Sequence, residues 1–174
     1  GSEVPKQFLK LRGKSLFAHS VERFCNFPFF KSVTIVSHPD YIGEIENEAS
    51  SYLGEGDRIV EGGATRHEST LNAIRSIHLD ETDTLVIHDA ARPFFTSKEI
   101  YDACKRASKA GASTLASNVS ETIVCAKNGI AESILDRDSI FMIKTPQVLQ
   151  ASLLSALGEI VIDASNPPTD LCSW

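Results

Sequence analysis

The chain lacks most features that would place it in a specialised class. Its four cysteines, Cys25, Cys104, Cys125 and Cys172, form no CxxC pair and no grouping with histidine at metal-ligand spacing. A zinc site or disulfide scaffold is therefore not expected, and the thiols read as free in a reducing compartment. No apolar run reaches the ~20 residues of a membrane-spanning helix, and no secretory signal opens the sequence. Positive charge is in deficit: 17 Lys and Arg against 23 Asp and Glu leave a net charge of −6. That balance argues against a general nucleic-acid or anionic-membrane binder, although a local cation cluster can still hold an anionic small molecule. Internal repeats and low-complexity tracts are also missing. The expectation is a cytoplasmic protein with no nucleic-acid and no membrane partner.

What is present is an ordinary globular composition: 174 residues, 42% hydrophobic and 23% charged, enough for one domain with a sizeable core. Apolar periodicity switches repeatedly between 3.6 and 2. Phe17, Val21 and Phe24 mark a helix after Gly13, and KSVTIVS (31–37) reads as a strand. Asp40 is placed to cap a helix carrying Ile42, Ile45, Ala49 and Tyr52. DRIVEGG is a short strand ending in Gly62-Gly63, and Thr65 with Glu68 has capping-box spacing ahead of Leu71, Ile74 and Ile77. TLVIH is the next strand, and Ser97 the expected cap of a helix with Ile100, Cys104 and Ala107 inward. ASTLAS (112–117) is a strand, ETIVCAKNGIAESIL a hairpin about Asn128-Gly129, and FMIKTPQ a last strand before a short helix near 151–157. Strands alternating with helices imply α/β architecture with a largely parallel sheet.

In such a sheet, ligands bind beyond the carboxyl ends of the strands. Three loops converge there. HDAARP brings Asp89 and Arg92, Gly62-Gly63 leads into a helix whose free N–H groups favour anions, and Lys144-Thr145-Pro146-Gln147 follows another strand. Carboxylate, cations, hydroxyls and amides at one edge suit a phosphorylated sugar or a nucleotide. Each piece has a simpler reading: Asp89 a turn residue, Arg92 its ion-pair partner, the glycines a turn, His88 a satisfied strand-end histidine. A metal phosphohydrolase on His88-Asp89 is rejected, because His19, His38, His67 and His78 have no ligand-like spacing.

The ordered set VPKQFLKLRGKSLFAHSVERF, EGGATRHESTLNAI, VIHDAARPF, DRDSIFMIKTPQ and PPTD carries more than any member. Together these motifs resemble the 2-C-methyl-D-erythritol 4-phosphate cytidylyltransferases of isoprenoid biosynthesis, over nearly the whole chain. HDAARP is the sharpest element, since ribitol-phosphate cytidylyltransferases generally differ at the second alanine. The resemblance implies a Rossmann-like nucleotidyltransferase fold with a mixed, mostly parallel sheet, helices on both faces and a protruding β-arm at about 119–138. It implies transfer of CMP from CTP to methylerythritol 4-phosphate, a sugar-alcohol phosphate, with release of pyrophosphate and Mg²⁺ on the triphosphate.

Residue by residue, the resemblance gives Lys6 the stabilisation of the pentavalent transition state, and Gly63 and Ser69 the recognition of cytidine. Asp89, Arg92 and Thr145 match ligand-contacting positions, mainly on the sugar-phosphate side, with Asp89 also near the Mg²⁺ shell and no metal ligand otherwise assigned. Thr122 and Arg137 match arm residues that reach the partner subunit's site in a homodimer, Arg137 gripping phosphate; on its own, between Asp136 and Asp138, Arg137 reads as part of a surface ion-pair cluster. Thr169 matches the family's TD motif. Arg66 corresponds to a family arginine near the nucleotide and is left outside the catalytic set. The family's glycine-rich phosphate loop would precede Gly1 and a lysine-bearing segment would follow Trp174, so the full protein is expected to be longer. Two further readings stay open: a ribitol 5-phosphate cytidylyltransferase, and a non-catalytic nucleotide-binding dimer module.

Overall fold

The computed structural model describes residues 4–154. The chain enters through a 3₁₀ turn, Lys6–Phe8, and a short antiparallel ladder of β1 (Lys10–Leu11) with β2 (Lys14–Ser15). Arg12 and Gly13 between them take positive φ values of 53° and 84°, as a tight hairpin turn requires. Ser15 then accepts the Ala18 N–H and starts α1 (Leu16–Cys25). Its apolar stripe, Phe17, Ala18 and Val21, packs with Phe8, with Ile35 of β3 (Thr34–Ser37), and with Ile45 and Ala49 of α2 (Ile42–Ala49). Phe17 is fully buried, so truncating it to alanine should cost ~3–5 kcal/mol.

Asp40 does not cap α2. Pro39 favours the first position of a turn, so the chain bends earlier, through a 3₁₀ turn Pro39–Tyr41 whose cap is the His38 ring, and α2 follows without a side-chain cap. β4 (Arg58–Glu61) lies parallel to β3 in register Ile35 to Ile59. The capping box of Thr65 and Glu68 opens α3 (Arg66–Arg75), as its spacing predicts, although Leu71, Ile74 and Ile77 are only half-buried.

After β5 (Thr84–Ile87) comes α4 (Ser97–Ala110), capped by Thr96 rather than Ser97. The reason is Glu99, which completes a capping box three residues after Thr96 and fixes the start one position earlier. Ile100, Ala103 and Ala107 are buried beneath it, Cys104 partly so. β6 (Ala112–Asn118) leads into the hairpin of β7 (Val124–Lys127) and β8 (Ile130–Ile134), turned by Asn128 and Gly129 at φ 51° and 78°. β9 (Phe141–Gln150) returns between β5 and β6 and buries Val148 and Leu149.

The described strands pair in separate small sheets, and their pairings are less parallel than the strand–helix alternation implies. β3–β4 is parallel, whereas β9 runs antiparallel to both β5 and β6. A parallel neighbour needs a crossover, usually a helix; β6 reaches β9 through the hairpin, which leaves β9 free to run the other way. The hairpin strands are exposed along their whole length and pair with each other.

Candidate active site

β5 ends at Ile87, and the next five residues form a closed loop. The Arg92 N–H donates to the Asp89 carbonyl at 3.0 Å, and His88 Nε2 meets the Arg92 carbonyl at 2.8 Å. The imidazole packs between Phe24 and Phe95, and burial pulls its pKa below the usual histidine value. A neutral ring that donates through Nε2 fits this setting, so His88 acts on the loop's shape. The reading of His88 as a satisfied strand-end histidine holds only in part: Nε2 is bonded at the strand end, whereas the buried Nδ1 has no hydrogen-bond partner among the described residues.

The loop presents Asp89 to two guanidinium groups. Arg66 Nη1 lies 2.7 Å from Oδ1, and Arg92 Nε lies 2.9 Å from Oδ2. The Asp89 N–H points to Thr145 Oγ1 at 3.3 Å, across to β9. Thr145 and Gln147 are buried there, and Lys144 is half-buried. Lys144-Thr145-Pro146-Gln147 therefore sits within a strand, not after one as its sequence position implies. Pairing with β6 jumps from Gln147–Thr114 to Ile143–Ala116, so the extra residues on β9 bulge at 144–146. The bulge accommodates a proline inside a central strand, where a missing N–H would otherwise break the ladder.

Arg66, Asp89, Arg92, Ile143, Lys144, Thr145 and Gln147 line an open cleft of about 140 Å³. Three cations face one carboxylate in a chain whose net charge is −6. The local cluster thus reverses the global sign, and the cleft attracts anions.

The neighbouring glycine corner is held by a dense set of local hydrogen bonds. The Gly62 N–H donates to Ser37 O at 2.7 Å, Gly63 N–H to Ser69 Oγ at 3.1 Å, and Ala64 and Thr65 N–H to Glu68 Oε2. The Glu68 N–H is taken by Thr65 Oγ1. The amides of residues 62–65 and 68 are thus bonded to neighbouring groups, and the Arg66 guanidinium adds positive charge at this corner. Ser69 Oγ also donates to Thr65 O at 2.9 Å and holds the Gly-Gly turn against the first turn of α3.

Asp89, Arg92 and Thr145 are therefore brought together, while Gly63 and Ser69 sit at the adjoining corner outside the cleft lining. Lys6 is exposed on the first 3₁₀ turn, apart from that lining. Thr122 and Arg137 lie at the exposed base of the hairpin, where Arg137 Nη1 donates to Ser120 O at 3.1 Å, and neither lines the cleft of its own chain. Thr169 falls outside the described residues. Arg66, left outside the catalytic set by sequence, also lines the cleft, from the first position of α3 directly behind the Gly-Gly turn.

An anion-attracting cleft beside the end of β5 in an α/β fold suits a protein that handles phosphorylated ligands. Known proteins narrow this class. The family model described as IspD, 2-C-methyl-D-erythritol 4-phosphate cytidylyltransferase, matches residues 1–170, and the chain belongs to that family. It is 42% identical over 174 residues to the 2-C-methyl-D-erythritol 4-phosphate cytidylyltransferase of Leptospira borgpetersenii serovar Hardjo-bovis (strain JB197), covering 100% of this chain and 73% of that one. Against the enzyme of the same name from Thermosipho africanus the identity is 38% over 157 residues, with 87% and 67% covered. Among solved structures, the Francisella tularensis 2-C-methyl-D-erythritol 4-phosphate cytidylyltransferase superposes with a TM-score of 0.74 at 25% identity, covering 94% of this chain and 78% of that one. The 4-diphosphocytidyl-2C-methyl-D-erythritol synthase of Anaerococcus prevotii shares the fold, with a TM-score of 0.79 at 21% identity and 95% and 75% covered.

Proposed function

We propose that the protein transfers CMP from CTP to 2-C-methyl-D-erythritol 4-phosphate, releasing pyrophosphate and forming 4-diphosphocytidyl-2-C-methyl-D-erythritol. Family membership supports the reaction, and the observation that carries the site is the cationic cleft built around Asp89. A phosphate oxygen of the acceptor attacks the α-phosphorus, a P–O bond forms there, and the bond to the bridging β-phosphate oxygen breaks as pyrophosphate leaves. The nucleophile is already anionic near neutral pH, so the protein has to align two polyanions and stabilise growing charge, not remove a proton. Cations do that, and the cleft supplies them.

In this reading Arg92, Thr145 and Asp89 hold the acceptor, and Gly63 and Ser69 shape the nucleotide corner. Lys6 stabilises the charge developing at the α-phosphorus. Thr122 and Arg137 serve the site of a partner subunit, with Arg137 gripping phosphate through its forked donors, and Thr169 completes the acceptor side. The exposed hairpin supports that arrangement: Ile130 and Ile134 are 70% and 74% exposed on an arm whose strands, among the described residues, pair only with each other, and an isolated hairpin is marginal in water. A homodimer in the cytoplasm is the proposed working form.

Mg²⁺ enters this proposal as part of the substrate, carried on the triphosphate. Among the described residues no group of three His, Cys, Asp or Glu could hold a metal, and both Asp89 oxygens face arginines. A cage built from protein ligands alone does not fit these residues. An ion held mainly by phosphate oxygens and water does, since Mg²⁺ usually binds with few protein ligands.

The test is pyrophosphate release by the full-length protein with CTP, Mg²⁺ and either methylerythritol 4-phosphate or ribitol 5-phosphate. Strong preference for methylerythritol 4-phosphate is expected. Preference for ribitol 5-phosphate would overturn the acceptor assignment, and release with neither would leave a nucleotide-binding module.

A further inference from the structure

Asp89 is a single carboxylate shared by two cations from separate parts of the fold. Arg66 comes from the start of α3 on the nucleotide corner, and Arg92 from the loop after β5 on the acceptor side. The carboxylate cannot follow one guanidinium away from the other. Its backbone is tied on both sides, by its own N–H to Thr145 Oγ1 and by its carbonyl to the Arg92 N–H. Both guanidiniums stay roughly half exposed, at 46% and 52%, while the carboxylate between them is 24% exposed. Arg92 pairs with Asp89 through Nε, and its Nη1 and Nη2 donors make no bond among the described residues.

We propose that Arg66 is a positioning residue that acts on Arg92 through Asp89, and so sets how readily Arg92 takes the phosphate of the acceptor. The proposal rests on the reaction assigned above. With Arg66 in place, the charge of Asp89 is already balanced from the nucleotide side. Arg92 is then held lightly and can turn its outer donors to an incoming phosphate, which meets a neutralised carboxylate. Without Arg66, Asp89 has Arg92 alone. That pair tightens, and a phosphate arriving at Arg92 meets an uncompensated negative charge. Arg66 thus influences a ligand on the far side of Asp89 without having to touch it.

The experiment is a coupled set of variants in the full-length protein: wild type, Arg66→Gln, Asp89→Asn and the double variant, with melting temperature checked for each. Steady-state kinetics would be run against the acceptor at saturating CTP. Arg66→Gln is expected to raise the acceptor KM by ~10-fold with a smaller change in kcat, the size of coupling usual within one charge network. In the Asp89→Asn background the same change should raise it less than ~2-fold, because the carboxylate that carries the coupling is gone. Arg66→Lys, which keeps a cation beside Asp89, should return the KM most of the way to wild type. An equal rise in both backgrounds would overturn the proposal, since it would mean that Arg66 reaches the acceptor directly or through its general field. A lysine variant indistinguishable from the glutamine variant would overturn it too. If wild type shows no turnover, the reaction assignment fails on its own; the coupling is then read from inorganic phosphate titrated into the same proteins by NMR, with the same two outcomes.

Discussion

The imidazole of His88 and the main-chain carbonyl of Arg92 are 2.8 Å apart, and this contact shapes the loop on which both Asp89 and Arg92 stand. Burial among Phe24 and Phe95 lowers the histidine's pKa, so the folded protein holds it neutral where the unfolded chain, near ~6.5, begins to take up a proton. The unfolded state then binds more protons, and stability falls as pH drops from ~6.5 towards the lowered folded value, by up to about 1 kcal/mol per pH unit. His88→Phe keeps the ring packing and removes the titration. Urea unfolding at pH 7.5 and 5.5 should show a smaller loss of stability for the variant than for wild type. Equal losses would show that His88 carries none of the dependence.

Gly63 has no room for a side chain. A Cβ built there would stand 2.3 Å from Glu68 Cβ and 2.8 Å from its Oε2, the same carboxylate oxygen that holds Ala64 and Thr65. Gly63→Ala should therefore push the capping box out of place and destabilise the fold by ~1–3 kcal/mol. Because this corner borders Arg66, KM for CTP should rise, on the order of 10-fold, with the acceptor KM less affected. Thermal melts and kinetics on one preparation separate the two effects.

Lys6 and Arg137 offer a test of shared sites. Lys6 is exposed, so Lys6→Ala should leave the melting temperature unchanged while turnover drops ~10²–10³-fold, the usual loss for one transition-state donor. Arg137→Ala should also be poorly active. If the arm serves the partner's site, a heterodimer of the two variants has one site with both lesions and one with neither. Mixing and re-equilibrating the two inactive proteins should then restore about a quarter of wild-type activity. No recovery would place both residues in one site of one chain.

The cysteines should differ sharply in reactivity. Cys25 is raised to about 11 by burial and by the neighbouring Asp57, and burial also raises Cys104, whereas Cys125 is exposed on the hairpin. Thiolate is the reactive form. Peptide mapping after brief alkylation at neutral pH should find Cys125 labelled well before Cys25 and Cys104.

What could be read from sequence divides along the range of the interaction. The capping box of Thr65 and Glu68 and the Asn128-Gly129 turn are complete within four residues, and both stand as their spacing predicts. Even local signals compete, though: Asp40 lost to the turn started by Pro39, and Ser97 lost to Thr96 because Glu99 lies three residues from Thr96. The direction of β9 depends on what joins it to β6, and a hairpin there carries no directional constraint. The same limit explains Arg66. Nothing in GGATRHES states that its guanidinium will meet a carboxylate 23 positions later; only the tertiary fold, which sets the start of α3 beside the loop after β5, brings the two to 2.7 Å. The ring cluster of Phe24, Phe27, Phe30, Phe95 and His88 has no periodic signature for the same reason, since its members come from the end of α1, the segment after it and the distant loop after β5.

The Asp89 clamp also bears on selectivity. A cleft that carries its own counter-ion is already neutralised in part before any ligand arrives. A small anion must compete with a carboxylate that is tethered in place and present at high effective concentration. Inorganic phosphate can bind there, but with less gain than a ligand that has further anchors. A ligand that also anchors a sugar or a base elsewhere can offset the displacement, so the built-in carboxylate works as a filter for molecules with more than one handle.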